Sequence, residues 1–382
     1  MAPFRLDLPA VVFFGPGTLA ELPAMARRLG SRLLLVTGSA WLERSGRLSA
    51  VRASLGAVAI EQFACPPGEP TAETVEEARR LARSFRPEAI VAIGGGSVLD
   101  TAKALSGVLE TSEPVERFLE GMGDTLELPG PGVPWIAVPT TAGTGAEATR
   151  NAVLRLADRG FKRSLRSPFL LASAVIVDPG LTTELPPGVT GSGGLDAVTQ
   201  LVEAHVAKKA NPFTSSLVRG AFLPLLDALE RLRDSPADLG HRTAASYAAF
   251  VSGVALANAG LGAAHGFASG LGGMYAIPHG LICAVFLPHV LEANAGAIGS
   301  RVAELADGRN GKADAVQWLS DAVRRLLGLY GLPSDLRGFG VPAGSVPEIV
   351  ERSAGSSMRG NPRDLGRDEQ ERIVRLALGI GA

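Results

Sequence analysis

Ala89-Ile90-Val91-Ala92-Ile93-Gly94-Gly95-Gly96-Ser97-Val98-Leu99-Asp100-Thr101-Ala102-Lys103 joins a continuous apolar run to a triple glycine and then to residues of helical composition. An apolar run of this length predicts a strand buried on both faces, the kind found in parallel sheets. The glycines let backbone N–H groups approach a phosphate, and the start of the following helix adds favourable partial positive charge. The stretch therefore reads as a strand, a turn suited to a pyrophosphate, and a helix. Its spacing is not GxGxxG and no Gly-Lys-Ser/Thr follows, so it matches neither common nucleotide fingerprint.

Working outward, Leu33-Leu34-Leu35-Val36, Trp135-Ile136-Ala137-Val138 and Ala174-Val175-Ile176-Val177 are apolar runs of the same type, separated by helical stretches. That alternation predicts a βαβ sheet. Val11-Val12-Phe13-Phe14 predicts a first strand, being too short for a signal core and lacking a small-residue cleavage pattern. Thr71 is an N-cap candidate before Glu73, Glu76 and Glu77, with the helix running to about Phe85. A second polar loop, Pro139-Thr140-Thr141-Ala142-Gly143-Thr144-Gly145-Ala146-Glu147, directly follows the strand ending at Val138. Loops at the C-terminal ends of parallel strands are where open α/β sheets bind ligands.

After Asp178-Pro179 strand-like runs become rare, and Ala/Leu/Val stretches at helical spacing continue to the C-terminus. The expectation is an α/β Rossmann-like parallel-sheet domain over residues 1–185 and an all-helical domain over 186–382, with the boundary near Leu185-Pro186-Pro187. The Ala244–Ala264 stretch is nearly membrane-length, but Ser246, Ser252, Asn258 and several glycines predict a buried central helix. Gly308–Gly311 predicts an exposed turn.

With 382 residues, 46% of them hydrophobic and 20% charged, the chain can bury a large core. A formal net charge of -1, without a basic run interleaved with aromatics, argues against nucleic acid as a partner. Cys65 and Cys283, far apart, cannot form a disulfide framework and fit a reducing compartment, so the cytoplasm is expected.

Asp196 and Gln200 are four residues apart in a helical pattern, so they project from one face. His265 and His279 stand in Gly-flanked settings, Ala264-His265-Gly266 and Pro278-His279-Gly280, where backbone can fold closely around a site. A carboxylate with two imidazoles suits a borderline divalent ion, Fe(II) or Zn(II), better than an all-oxygen Mg(II) site. His205, His241 and His289 read as structural or surface residues. Phe161, Phe267, Met274 and Tyr275 fit either a substrate cleft or a core.

Taken together, these motifs resemble the iron-containing (group III) alcohol dehydrogenases, from about Phe4 to the C-terminus. The carriers are Phe14-Gly15-Pro16-Gly17, Gly94-Gly95-Gly96-Ser97 with Asp100 and Lys103, and the threonine loop from Pro139 to Gly145. Lys162-Arg163-Ser164, Val177-Asp178-Pro179, Gly194-Leu195-Asp196-Ala197, Pro278-His279-Gly280 and Leu287-Pro288-His289 complete the match. The resemblance implies a dehydroquinate synthase-like architecture. It also implies a metal-dependent oxidoreductase interconverting an alcohol and an aldehyde or ketone by hydride transfer, in a cleft between the domains. Gly95, Gly96 and Ser97 would hold the pyrophosphate, with Asp100, Thr140, Thr141, Thr144, Asn151 and Lys162 also among the cofactor-binding residues. Asp196, Gln200, His265 and His279 would form the metal set. Gly38 stands where members preferring NAD carry Asp, whose carboxylate takes the ribose 2′-hydroxyl, so NADP(H) is expected, with NAD as the alternative. A small alcohol or aldehyde is the expected substrate and a homodimer the expected assembly.

Three positions depart from the family pattern. Gln200 replaces a third histidine, which leaves three outcomes: weaker metal binding, three strong ligands plus water, or loss of the metal. Ser269, four residues after His265, replaces a histidine placed for substrate contact or proton relay; its hydroxyl can pass a proton but cannot store one near neutral pH. Glu69 stands where Asn is common near the cofactor. Two other readings stay open, a metal-free reductase similar to maleylacetate reductases and a carbon–oxygen lyase or cyclase resembling the dehydroquinate synthases.

Overall fold

The computed structural model describes residues 3–38, 41–156, 159–306 and 312–381; the turn expected at Gly308–Gly311 lies outside them. The chain divides into two compact units, one of Asp7–Thr141 with Ala146–Thr182 and the other of Met1–Leu6, Ala142–Gly145 and Thr183–Ala382. The main division lies at Thr182/Thr183, against the expected 185/186, and four residues of the threonine loop belong with the helical unit.

In the first unit, six parallel strands stand in the order β1-β8-β5-β4-β2-β3. They are β1 (Val12–Phe14), β2 (Arg32–Thr37), β3 (Ala59–Ala64), β4 (Ala89–Gly94), β5 (Trp135–Pro139) and β8 (Ala174–Val177). Every residue of β4, β5 and β8 is buried, as the apolar runs require for strands covered on both faces. Leu33 and Leu35 point to one face, where they pack with Leu22 and Ala26 of α1 (Leu22–Leu29) and Leu48 and Val51 of α2 (Arg47–Leu55). Residues of α3 (Ala72–Phe85) and α4 (Gly96–Val108) pack with the antiparallel hairpin of β6 (Asn151–Leu156) and β7 (Phe161–Arg166) through Val75, Ala104, Val108, Leu154 and Leu165. Thr71 caps α3, its Oγ1 accepting from Thr74 N at 3.1 Å.

Register brings the two loops together. Ile93 lies opposite Val138 and Gly94 opposite Pro139, so the chains leaving β4 and β5 emerge side by side. Thr140 N donates to Gly94 O at 3.0 Å across that junction.

The second unit is helical: α5 (Pro187–Val206), α6 (Pro212–Leu232), α7 (Leu239–Ala259), α8 (Ala263–Met274), α9 (His279–Leu305), α10 (Lys312–Leu329) and α11 (Arg367–Ala377), with two short helices, Val346–Arg352 and Ser356–Gly360, between the last two. Helix α5 is buried without a break from Gly194 to Val206, where Leu195, Val198, Leu201 and Val202 pack in the core and Asp196, Gln200, Glu203 and His205 are carried inside with them. The Ala244–Ala264 stretch forms most of buried α7, which meets α8 at a 98° bend beyond Gly260. Helix α9 is long and apolar enough to cross a membrane, yet 67% of that window is buried within the protein.

His205, on α5, has no exposure, and its Nε2 lies 3.1 Å from Arg301 O. Burial, with the positive charge of Arg301, pushes its pKa down to about 4 from an ordinary 6.5. The unfolded chain takes up this proton near pH 6.5 and the folded protein only near 4, so stability is full above pH 6.5 and falls across that window. The expected loss is about 3 kcal/mol. A melting curve series from pH 7 to 4 should show a shallower slope in His205→Gln than in the parent; equal slopes would remove His205 from the account.

Candidate active site

The phosphate turn and the start of the threonine loop, Pro139–Thr141, lie in the first unit. Gly95 caps α4, and a Cβ added there would come within 3.3 Å of the Thr141 side chain, so glycine lets the two loops lie close without displacing that threonine. Gly95, Gly96, Ser97, Thr140 and Thr141 are all half-buried. The first N–H groups of a helix have no partner within it, which leaves the α4 N-terminus available to an anion. Ser97 Oγ donates to Gly68 O at 2.7 Å, tying the 66–70 loop to the phosphate turn.

Lys103 is the staple of this region. Fully buried, its Nζ donates to Ala146 O at 2.8 Å, Thr149 Oγ1 at 2.7 Å and Asn151 O at 2.8 Å, and pairs with Asp100 Oδ1 at 3.1 Å. Asp100 Oδ2 accepts from Val153 N at 3.0 Å, so this carboxylate is spent on holding the hairpin to α4. Asn151 is buried and its Oδ1 has no hydrogen-bond partner, an acceptor awaiting a donor. Lys162 pairs with Glu69, which gives the unfamiliar acid a counter-charge. Gly38 follows β2 directly, and a Cβ there would stand 2.8 Å from Val98 Cγ2, so local packing favours its small size.

The metal-type cluster lies in the second unit. Asp196 and Gln200 are one turn apart on α5, His265 is in the first turn of α8, and His279 begins α9. Asp196 Oδ1 stands 3.3 Å from His265 Nε2 and 4.0 Å from His279 Nε2. The sequence therefore named three residues that the fold does bring together. Asp196 Oδ1 and His265 Nε2 are both buried, and neither has a hydrogen bond of good geometry. Burial pushes the Asp196 carboxyl up, but the adjoining His265 and His279 imidazoles outweigh burial and hold it below its ordinary value. His265 is driven the other way: burial lowers it, while Cys283, Asp196 and Glu203 together raise it well above its ordinary value.

Gln200 is oriented by its neighbours. Its Nε2 donates to Asp196 Oδ2 at 3.2 Å and Thr144 O at 3.3 Å, and its Oε1 accepts from Ser252 Oγ at 2.7 Å. Turning the amide over would set its carbonyl against two acceptors, so the hydrogen-bond network itself fixes which end faces Asp196. Thr144, otherwise exposed, is anchored by glycine-on-glycine packing. Gly145 adopts φ +59°, and a Cβ on it would meet Gly253 N and Cα at 2.5 Å and Ala249 O at 2.6 Å on α7. Ser269 is exposed, one turn beyond His265. Phe267 stacks on Phe286 at 5.0 Å with no exposure and belongs to the core.

Two residues escaped the sequence reading. Glu203, buried on α5, accepts from His265 Nδ1 at 2.7 Å, Ala264 N at 2.7 Å and His265 N at 3.4 Å. When Nδ1 donates its proton to this carboxylate, Nε2 keeps its lone pair free for an ion, the arrangement typical of metal-binding histidines. Cys283, one turn after His279 on α9, has its Sγ 3.6 Å from His279 Nε2, and burial pushes its thiol up to about 12. The ligand atoms of Asp196, His265, His279 and Cys283 all lie within 4.8 Å of one another. A helical offset of seven from Asp196, and one of four from His279, were the available signals.

Residues 9–179 match the family model for iron-containing alcohol dehydrogenase, and residues 190–378 match the C-terminal model of the Fe-containing alcohol dehydrogenase family. The chain is 33% identical to the probable alcohol dehydrogenase EutG of Escherichia coli strain K12, covering 94% of this chain and 90% of that protein. It is 29% identical to lactaldehyde reductase of the same strain, over 94% of this chain and 96% of that one. A crystal structure of 1,3-propanediol oxidoreductase superposes with a TM-score of 0.91 at 30% identity, over 98% of this chain and all of that one.

Proposed function

This chain belongs to the iron-containing alcohol dehydrogenases and is an oxidoreductase of the alcohol dehydrogenase and aldehyde reductase class; from that premise we propose that it works with NADP(H) and with a divalent ion held by Asp196, His265 and His279. The observation that carries the metal reading is the pair of buried ligand atoms without hydrogen bonds, Asp196 Oδ1 and His265 Nε2, standing 3.3 Å apart. A carboxylate and imidazoles of this kind fit Fe(II) or Zn(II). When bound, the ion supplies Lewis-acid polarisation of the substrate oxygen and the nicotinamide supplies or takes up the hydride.

The chain's own residues prepare for both. The turn Gly95-Gly96-Ser97 at the α4 N-terminus receives the pyrophosphate, and Thr140, Thr141 and Thr144 offer hydroxyls to the coenzyme. Asn151 Oδ1 provides a free acceptor and Lys162 a cation, while Asp100 acts from behind by holding the hairpin that carries Asn151. Glu203 orients His265, and Gln200 orients Asp196 in place of serving as a ligand. Ser269, exposed beside the His265 turn, passes the alcohol proton toward solvent.

Removing divalent metal with a chelator is expected to abolish alcohol oxidation and aldehyde reduction, and Fe(II) or Zn(II) should restore both. Full activity in protein verified to be metal-free would reject the metal reading and favour a metal-free reductase. For the coenzyme, absence of a carboxylate at Gly38 removes what would repel a 2′-phosphate. Initial rates should give a kcat/KM for NADPH at least ~10-fold above that for NADH, about 1.4 kcal/mol; a preference for NADH would overturn the assignment. We take the enzyme to be a cytoplasmic homodimer, the compartment supported by two buried free cysteines and the assembly by the family alone.

A further inference from the structure

We propose that Cys283 is the fourth protein ligand of the metal, taking over the place that Gln200 leaves open, and that its sulfur makes the site selective for zinc over iron. The inference rests on the metal-dependent reading above and adds a ligand to it.

Gln200 is unsuited to ligation here. Its carbonyl oxygen is taken up by the Ser252 hydroxyl, and its amide N–H groups face Asp196 Oδ2 and Thr144 O, so what it offers toward Asp196 is a donor. A cation needs lone pairs. Cys283 supplies them from the opposite wall. It lies on α9 four residues after His279, which puts both side chains on one face of that helix. Its sulfur has no exposure and belongs to the same four-residue cluster as Asp196 and His265. Tetrahedral bonds of the usual Zn–N, Zn–O and Zn–S lengths place ligand atoms about 3.3–3.8 Å apart. The observed 3.3 Å for Asp196 to His265, 3.6 Å for Cys283 to His279 and 4.0 Å for Asp196 to His279 are close to that shape before any ion draws them in.

The chemistry of the donor set follows. One carboxylate, two imidazoles and one thiolate form a softer site than a carboxylate with three imidazoles, and thiolate favours zinc and cobalt over iron(II). As the sulfur–metal bond forms, the thiol proton leaves to solvent, so metal uptake releases one proton from this residue.

The test is cobalt reconstitution of the full-length protein after chelation. Stoichiometric Co(II) in the parent should produce a near-ultraviolet sulfur-to-cobalt charge-transfer band, and Cys283→Ala, or Cys283→Ser as a second variant, should lack it. Both variants should lose on the order of 100-fold or more in zinc affinity against a chromophoric chelator, beyond what the outer partners of ligands usually contribute. A parent protein loaded with one equivalent of cobalt and showing no sulfur band overturns the role of Cys283 and leaves the metal reading standing. A parent that takes up no cobalt or zinc overturns both. The band is read in the unmutated protein, so the result does not depend on the variants folding.

Discussion

Asp196→Ala is expected to lower kcat/KM by roughly 10³-fold, about 4 kcal/mol of transition-state stabilisation, with little change in fold. Asp196 brings the one carboxylate among the donor atoms that cluster within 4.8 Å, and it lies between the two imidazoles. Its removal takes the carboxylate from the donor set and leaves His265 Nε2 without its neighbour at 3.3 Å. Asp196→Asn keeps the shape and an oxygen but not the charge, and should fall between the parent and Ala. The decisive measurement pairs steady-state kinetics with metal content. Near-parental activity in a metal-poor Asp196→Ala protein would remove this residue from the chemistry.

Gly253→Ala should cost about 3 kcal/mol, the upper end of what overpacking usually costs, and lower the melting temperature by roughly 6–12 °C. The added Cβ would lie 2.8 Å from Gly145 C and nearer still to its oxygen. These are backbone atoms that no rotamer change can move. Gly145, at φ +59°, cannot readily retreat, because its loop is also pressed against α5, where a Cβ on Gly143 would meet Gly193 Cα at 2.8 Å. The same displacement should pull Thr144 O from Gln200 and loosen Asp196, so activity should fall along with stability. A variant melting within 2 °C of the parent would show that the seam is more yielding than its geometry indicates.

The parallel sheet was legible because β2, β4, β5 and β8 are buried on both faces and so must be written as unbroken apolar runs. β3 was not, since Ala59–Ala64 is an edge strand whose residues are mostly half-exposed, with Glu61 and Gln62 in the middle. The hairpin of β6 and β7 was missed for a related reason. It carries Arg155, Arg163 and Arg166 on partly or fully exposed positions, and its pairing is local, with no long apolar run to announce it. At the site, Asp196, His265 and His279 were found through glycine-flanked motifs, whereas Glu203 and Cys283 sit among apolar neighbours. Only the helical offset connects them to the other ligands. Nor could the sequence say that residues 142–145 leave the sheet unit, because the contacts that hold them are between glycine backbones and have no side-chain signature.

Glu203 joins two duties in one carboxylate: it holds the His265 ring, and it receives the Ala264 and His265 N–H groups at the opening of α8. Reciprocity then governs both, because a free-energy coupling between two events acts equally in each direction. Whatever binds at His265 Nε2 also draws the first turn of α8 onto α5, and whatever frays that turn weakens the grip on the bound group by the same factor. Loading the site and completing the helix are in this sense a single equilibrium, seen from its two ends.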